Sequence, residues 1–163
     1  MKKIAAILLA AATGFLLHAG EIRIFRGNST YSSDCVATYK NGKLYRGNST
    51  YSSDCIATYY DGKFYKGNST YSSDCAVTFR NGKLYRGNST YSSDCIATYY
   101  DGKFYKGNST YSSDCFVTYY NRKLYRGNST YSSDCVFTFP GNVKNSPALP
   151  AWIAYRYFNI LFM

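Results

Sequence analysis

A nine-residue string, GNSTYSSDC, constrains this chain more than any other feature because it recurs at a fixed interval of 20 residues. It begins at six positions, Gly27, Gly47, Gly67, Gly87, Gly107 and Gly127, and residues 47–66 are repeated without change at 87–106. A unit of this length cannot bury an apolar face alone, so neighbouring copies must pack against one another. The sequence therefore predicts one tandem-repeat domain.

Each unit reads as a strand, a polar turn and a second strand. In the second copy these segments are 43–46, 47–54 and 55–60. Val, Ile, Thr, Tyr and Phe dominate the strands, and Gly, Asn, Ser and Asp dominate the turns. The composition, with 20 Tyr among 163 residues, fits strands with aromatic faces and predicts an all-β fold.

Asn-Gly and Asp-Gly pairs join the units, and these pairs are typical of two-residue hairpin loops. If Asp61 and Gly62 form such a loop, Tyr60 faces Lys63 and Tyr59 faces Phe64. One face then carries an apolar stripe formed by Cys55, Ala57, Tyr59 and Phe64, with Lys66 at its rim. The other face is mixed and carries Ile56, Thr58, Tyr60, Lys63 and Tyr65. In the fifth copy Arg122 replaces the glycine, which predicts strain at a positive φ.

Two architectures follow from six such units. The favoured one is an antiparallel hairpin array, open or closed by pairing the first strand with the last, since closure removes exposed edges. The alternative is a parallel β-solenoid with one unit per coil. The solenoid would stack five lysines in one column and make them repel: Lys43, Lys63, Lys83, Lys103 and Lys123.

The segments outside the repeats predict export and a separate tail. Residues 1–20 have two lysines, an apolar run and small residues at the end, the layout of a cleavable signal peptide. The expected organisation is a signal at 1–20, a six-repeat β domain at 21–140 and a non-repeat tail at 141–163, in a periplasmic or secreted protein. The tail reads as a capping segment or as the product of an altered reading frame.

The D-G-K-F-Y-K-G segment at 61–67 resembles part of the MORN repeat, which reads D-G-x-x-Y-x-G. The wider rhythm of D-G-K-F-Y, a polar turn and a strand is similar to small bacterial β-flower domains built from radiating hairpins. That resemblance covers the whole repeat. It implies a fold and no particular activity.

Six cysteines occupy one position of the repeat: Cys35, Cys55, Cys75, Cys95, Cys115 and Cys135. An even number in an exported chain favours disulfides, with neighbouring copies as partners. Buried free thiols are the alternative. A metal is not expected, because single cysteines 20 residues apart match no zinc spacing and signal cleavage removes the only histidine, His18.

No residue pattern predicts an enzyme or a cofactor. The six aspartates that follow Ser-Ser are expected to cap backbone N–H groups in the turns. The serines lack a general base. A catalytic centre would also require one copy to differ from the others in its polar residues, and the polar turn is the same in all six.

The repeated tyrosines and cations are the candidate ligand-binding residues. The turn tyrosines are Tyr31, Tyr51, Tyr71, Tyr91, Tyr111 and Tyr131, and the cations beside them are Arg26, Arg46, Lys66, Arg86, Lys106 and Arg126. Aromatic rings can stack on sugars, and the net charge, +10 or +8 without Lys2 and Lys3, favours an anionic partner. The predicted function is a non-enzymatic envelope-associated module that binds an anionic polymer or glycan. Nucleic acid is not the expected partner of an exported chain, and structural self-association is the alternative.

Overall fold

The structure, a computed structural model, describes residues 20–159, so the predicted signal peptide lies outside the described residues apart from Gly20. These residues form twelve strands, with a 3₁₀ turn after each odd-numbered strand, and one helix after the last strand. The strands are β1 Glu21–Arg26, β2 Cys35–Lys40, β3 Lys43–Arg46, β4 Cys55–Tyr60, β5 Lys63–Lys66, β6 Cys75–Arg80, β7 Lys83–Arg86, β8 Cys95–Tyr100, β9 Lys103–Lys106, β10 Cys115–Tyr120, β11 Lys123–Arg126 and β12 Cys135–Thr138; the helix α1 is Ala148–Phe158.

The strands form a closed antiparallel barrel in which each one pairs with its neighbours in the chain. β1 pairs with both β2 and β12, and Phe25 lies opposite Thr138 where the barrel closes. The hairpin array is therefore confirmed in its closed form. The parallel solenoid is wrong, because a closed meander satisfies the ladder of every strand without stacking like charges.

The Asn-Gly and Asp-Gly pairs form two-residue turns at one end of the barrel, named here the turn end. At Asp61 and Gly62 both φ angles are positive, and the predicted register is confirmed, with Tyr60 opposite Lys63 and Tyr59 opposite Phe64. Arg122 also has a positive φ of 64°. The fifth turn thus keeps the hairpin geometry in spite of its arginine.

A β-bulge in each repeat changes which side chains face inward. Tyr45 is paired with Cys55 and Leu44 with Ala57, so the residue between them, Ile56, is the extra one. As a consequence Ile56 joins the interior cluster, and Cys55 lies on the outer face beside Thr58. The predicted core stripe is correct for Ala57, Tyr59 and Phe64 and wrong for Cys55.

The interior of the barrel is filled by a ring of apolar side chains and by α1. Small and large residues alternate around the ring from β1 to β11, as in the fully buried pairs Leu44–Ala57 and Phe64–Val77, and Phe137 on β12 breaks the alternation. Residues 148–154 of α1 are all buried. Because seven consecutive residues cover every side of a helix, α1 is enclosed by the wall. Eight strands can be filled by side chains alone, whereas twelve leave room for a helix.

The tail enters the barrel at the turn end, where tyrosines on the inner wall hold it. The Val143 N–H donates to Tyr119 Oη at 2.9 Å, and Tyr99 Oη donates to the Lys144 carbonyl at 3.4 Å. Pro147 precedes α1, and the left-handed Asn159 follows it. Residues 148–154 of α1 therefore form a plug inside the barrel, while Asn142, Lys144 and Asn145 in the segment before the helix are exposed.

The long polar loops leave the opposite end, named here the loop end, and fold back over the outer wall. Thr38 Oγ1 donates to the Gly47 carbonyl at 2.8 Å, and Lys43 Nζ, near the turn end, donates to Asn68 Oδ1 at 2.9 Å. Loops also bond to each other across the barrel closure, where Asn28 Nδ2 donates to the Ser132 carbonyl at 3.0 Å. The loops thus bury the outer face of the sheet, including Thr38.

Candidate functional site

The loop end carries a ring of six cations, one at the end of each odd-numbered strand. Arg46 lies opposite Ala37 and two residues after Leu44, so it extends from the interior face of the wall at the rim. The same position is occupied in every repeat, and all six residues are exposed: Arg26, Arg46, Lys66, Arg86, Lys106 and Arg126. Neighbouring members are separated by two strand spacings, which is about 10 Å. These six residues are called the rim ring.

The rim ring has no carboxylate partner in residues 20–159. The salt bridges formed there join Glu21 to Arg23 at 2.8 Å and to Lys40 at 3.4 Å, and neither cation belongs to the ring. The exposed Arg156, in the last turn of α1, adds a seventh positive charge at the same end. The loop end is consequently a positive surface around a concave opening, and none of its seven cations forms a salt bridge within the described chain.

The helix makes this opening asymmetric. Phe116 on β10 contacts both Tyr157 and Phe158, with ring centroids 5.4 and 5.6 Å apart. Between β11 and β3, where the equivalent wall residues are the smaller Val136 and Val36, a cleft of about 730 Å³ remains. We name it the arginine cleft after four of its lining residues, Arg26, Arg46, Arg126 and Arg156; Trp152, Tyr155 and Tyr157 also line it.

The turn tyrosines occupy a different surface from the arginine cleft. All six are exposed by 77%, and each precedes a 3₁₀ turn in a loop that covers the outer wall. For example, the Tyr51 N–H donates to Ser49 Oγ, while the lining of the cleft includes none of the six turn tyrosines. The structure therefore brings the cations together at the rim and leaves the tyrosines as a belt around the outside.

Comparison with known families agrees with this geometry. A family model described as a 6-fold beta flower protein matches residues 24–152. The chain belongs to this β-flower family. The match extends through the last repeat to Trp152 in α1. No curated protein and no solved structure matches the chain.

The β-flower wall also explains why the six cysteines, all within the described residues, are free thiols. The predicted disulfides between neighbouring copies are not formed. Cys35 and Cys55 lie on β2 and β4 with β3 between them, which separates them by about 10 Å, whereas a disulfide needs Cα atoms closer than about 7 Å. Burial raises the pKa of the Cys55 and Cys75 thiols, so they remain protonated and weakly nucleophilic.

The aspartates of the β-flower loops accept hydrogen bonds from serine hydroxyls, and the predicted side-chain bond to a backbone N–H is not formed in the described loops. Ser29 Oγ donates to Asp34 Oδ2 at 2.5 Å, and the same serine accepts the Tyr31 N–H at 3.1 Å. The other five repeats contain the same serine–aspartate bond, in the pairs Ser49–Asp54, Ser69–Asp74, Ser89–Asp94, Ser109–Asp114 and Ser129–Asp134. Over residues 20–159 no group of three His, Cys, Asp or Glu side chains is arranged to hold a metal.

The sequence did not predict three residues that line the arginine cleft: Trp152, Tyr155 and Arg156. Their segment is apolar on all sides and interrupted by Pro150, so it has no amphipathic period to indicate a helix against the wall. The one available signal was the composition of residues 151–158, AWIAYRYF, in which Tyr155, Arg156, Tyr157 and Phe158 follow an apolar run. Within the described chain no helix is long and apolar enough to cross a membrane.

Proposed function

We propose that this protein is a non-enzymatic, exported binding module of the cell envelope whose rim ring holds an anionic polymer or glycan. The observation that carries the proposal is the concentration of seven exposed cations at one end of the barrel, with no carboxylate within salt-bridge distance in the described chain. Like charges at this spacing repel one another, so an anionic partner would relieve the repulsion.

The spacing of the rim ring suits a repetitive partner. Cations about 10 Å apart on a rigid circle can each meet a different charged unit of one polymer chain. Individually weak contacts then add, because after the first contact the others form at a high effective concentration. The fold supplies the rigidity, since every rim residue ends a strand that is hydrogen-bonded on both sides.

The belt of turn tyrosines is the second part of the proposed surface. Each ring is largely exposed on a loop whose backbone is fixed by a serine–aspartate bond, as in the Ser49–Asp54 pair beside Tyr51. Exposed aromatic rings on such a backbone can stack on sugar faces. A glycan long enough to leave the rim would thus meet a tyrosine on the outer wall.

Structural self-association has less support in this fold. The most direct route to it is pairing between exposed sheet edges. All twelve strands described here have a partner on each side, so the closed barrel presents no such edge. The binding role is therefore favoured over assembly through the strands.

A charge-matched pair of triple variants tests the rim ring. The rim variant combines Lys66→Gln, Arg86→Gln and Lys106→Gln; the control combines Lys63→Gln, Arg80→Gln and Lys103→Gln, which lie near the turn end. Both remove two lysines and one arginine, so their net charges are equal. Binding of dextran sulfate and of neutral dextran is measured by isothermal titration calorimetry at several salt concentrations.

We expect dextran sulfate to bind the native protein and the control, and neutral dextran to bind far more weakly. The rim variant should bind at least about tenfold more weakly and show a shallower dependence on salt, because fewer ions are released when fewer cations are neutralised. Equal losses in both variants would reduce the effect to net charge and refute the rim ring. Unchanged binding after all six turn tyrosines are replaced by alanine would refute the role of the belt.

A further inference from the structure

At the arginine cleft the equivalent rim positions differ from the others in their surroundings. Three consecutive odd strands, β11, β1 and β3, supply Arg126, Arg26 and Arg46, and α1 adds Arg156. The remaining rim positions are Lys66, Arg86 and Lys106, which do not line this cleft. Four arginines therefore line one cavity.

The residue type at these positions defines the ligand chemistry. A guanidinium group is always charged and presents a planar fork of donors that fits two oxygens of one anion, whereas an ammonium group acts as a point charge. A tetrahedral oxyanion with several free oxygens can accept from more than one such fork. The arginines thus favour a phosphate monoester over a single carboxylate, which offers only two oxygens.

The other wall of the cleft is aromatic. Tyr155 and Tyr157 line it at the end of α1, and Trp152 forms part of its base, packed edge-on against Phe137 at 5.0 Å. Trp152 is only 2% exposed, and its Nε1–H is the one buried side-chain donor without a hydrogen-bond partner in residues 20–159. A volume of about 730 Å³ lies in the range of small-molecule sites and holds a sugar ring with its phosphate.

We infer that the arginine cleft is a binding site for one sugar ring that carries a phosphate monoester. This inference rests on the proposed function, because it identifies the unit of an anionic glycan that the rim would hold most tightly. The phosphate contacts the guanidinium groups, and the sugar ring lies against Tyr155 and Tyr157. The same chemistry is offered by a free sugar phosphate and by the phosphorylated end of a glycan.

Trp152 provides the measurement, because it is the only tryptophan of the chain. The full mature protein is titrated with glucose 6-phosphate, glucose, inorganic phosphate and glucuronate, and Trp152 emission is followed. Calorimetry on the same sample gives the stoichiometry. We expect one glucose 6-phosphate per chain, a change in Trp152 emission, and affinities at least tenfold weaker for the other three compounds.

Two substitutions at equivalent positions separate the cleft from the ring. Arg26→Gln should weaken glucose 6-phosphate binding at least tenfold, and Arg26→Lys should weaken it by a similar factor because the charge remains but the fork is lost. Arg86→Gln removes the same group at another rim position and should change glucose 6-phosphate binding less than twofold. Circular dichroism checks that the variants are folded.

The outcomes also separate this inference from the function on which it rests. If dextran sulfate binds and glucose 6-phosphate does not, the cleft site is refuted while the rim ring stands. If glucose 6-phosphate binds but Arg26→Gln and Arg86→Gln weaken it equally, the cleft is refuted as the site. A phosphorylated maltotriose that binds tenfold more tightly than glucose 6-phosphate supports a glycan end group, and equal affinities support a free sugar phosphate.

Discussion

Replacing Trp152 tests whether α1 holds the barrel together from within. The side chain is 2% exposed and packs edge-on against Phe137 of β12 and at 5.6 Å from Tyr155. Truncating a buried aromatic residue of this size to alanine costs about 3–5 kcal/mol through lost burial and an unfilled cavity. Since a domain is stabilised by about 5–15 kcal/mol in total, Trp152→Ala should remove a large part of the stability.

Trp152→Phe separates packing from the unpartnered donor. The smaller ring loses roughly 1–2 kcal/mol of packing. It also removes a buried Nε1–H that has no hydrogen-bond partner, and leaving such a donor unsatisfied costs about 1–3 kcal/mol. The two effects oppose each other, so Trp152→Phe should lie between about 1 kcal/mol less stable and about 2 kcal/mol more stable than the native protein.

The assay is urea unfolding followed by far-ultraviolet circular dichroism, because both variants lack the tryptophan that fluorescence would report. Tyr111→Ala is the matched control, since that ring is 77% exposed and its loss should change stability by less than about 0.5 kcal/mol. A Trp152→Ala variant as stable as the control would refute the interior position of α1. A Trp152→Phe variant as unstable as Trp152→Ala would show that the Nε1–H is not a destabilising group.

Two further predictions concern the hairpin turns and alkaline pH. Gly82→Ala should destabilise the protein by clearly more than Gly127→Ala when both are compared by urea unfolding. Both glycines have a positive φ, which costs roughly 1–2 kcal/mol for a residue with a side chain. A Cβ at Gly82 would also lie 2.8 Å from the Tyr99 carbonyl oxygen, whereas a Cβ at Gly127 would have nothing within 4 Å. Equal losses of stability in the two variants would refute the close approach at Gly82. Burial raises the pKa of Tyr99 to about 12. The stabilisation by the protonated Tyr99 side chain is therefore complete below pH 10 and is lost as the pH rises through 12. Tyr99→Phe should lose less stability than the native protein between pH 8 and pH 12, and parallel losses would contradict the raised pKa.

The strand register could be predicted because local chemistry determines it. A period of two along the strand and a two-residue Asp61-Gly62 loop leave one pairing, and the structure has that pairing. The bulge at Ile56 could not be predicted in the same way. It exchanges the faces of Cys55 and Ile56, and both residues are compatible with a buried position, so the sequence offers no preference between them.

The candidate site was predicted only in part, and for a tertiary reason. The rim cations and turn tyrosines are adjacent in every repeat, so sequence reasoning placed them on one surface. The loops fold back over the outer wall through contacts such as Lys43 with Asn68, which are 25 residues apart. That fold-back separates the tyrosines from the rim, and no property of a single repeat indicates it.

The number of repeats and the plug are physically matched. Twelve strands enclose more space than their side chains can fill, and a buried helix with residues on all sides fills the remainder. One helix cannot match a six-fold wall, because its side chains differ around its axis and one sector of the wall, at Phe116, receives its last turn. The mismatch makes the sector between β11 and β3 chemically distinct from the others. A wall of nearly identical repeats thereby acquires one distinct cleft, and the asymmetry comes mainly from residues outside the repeats.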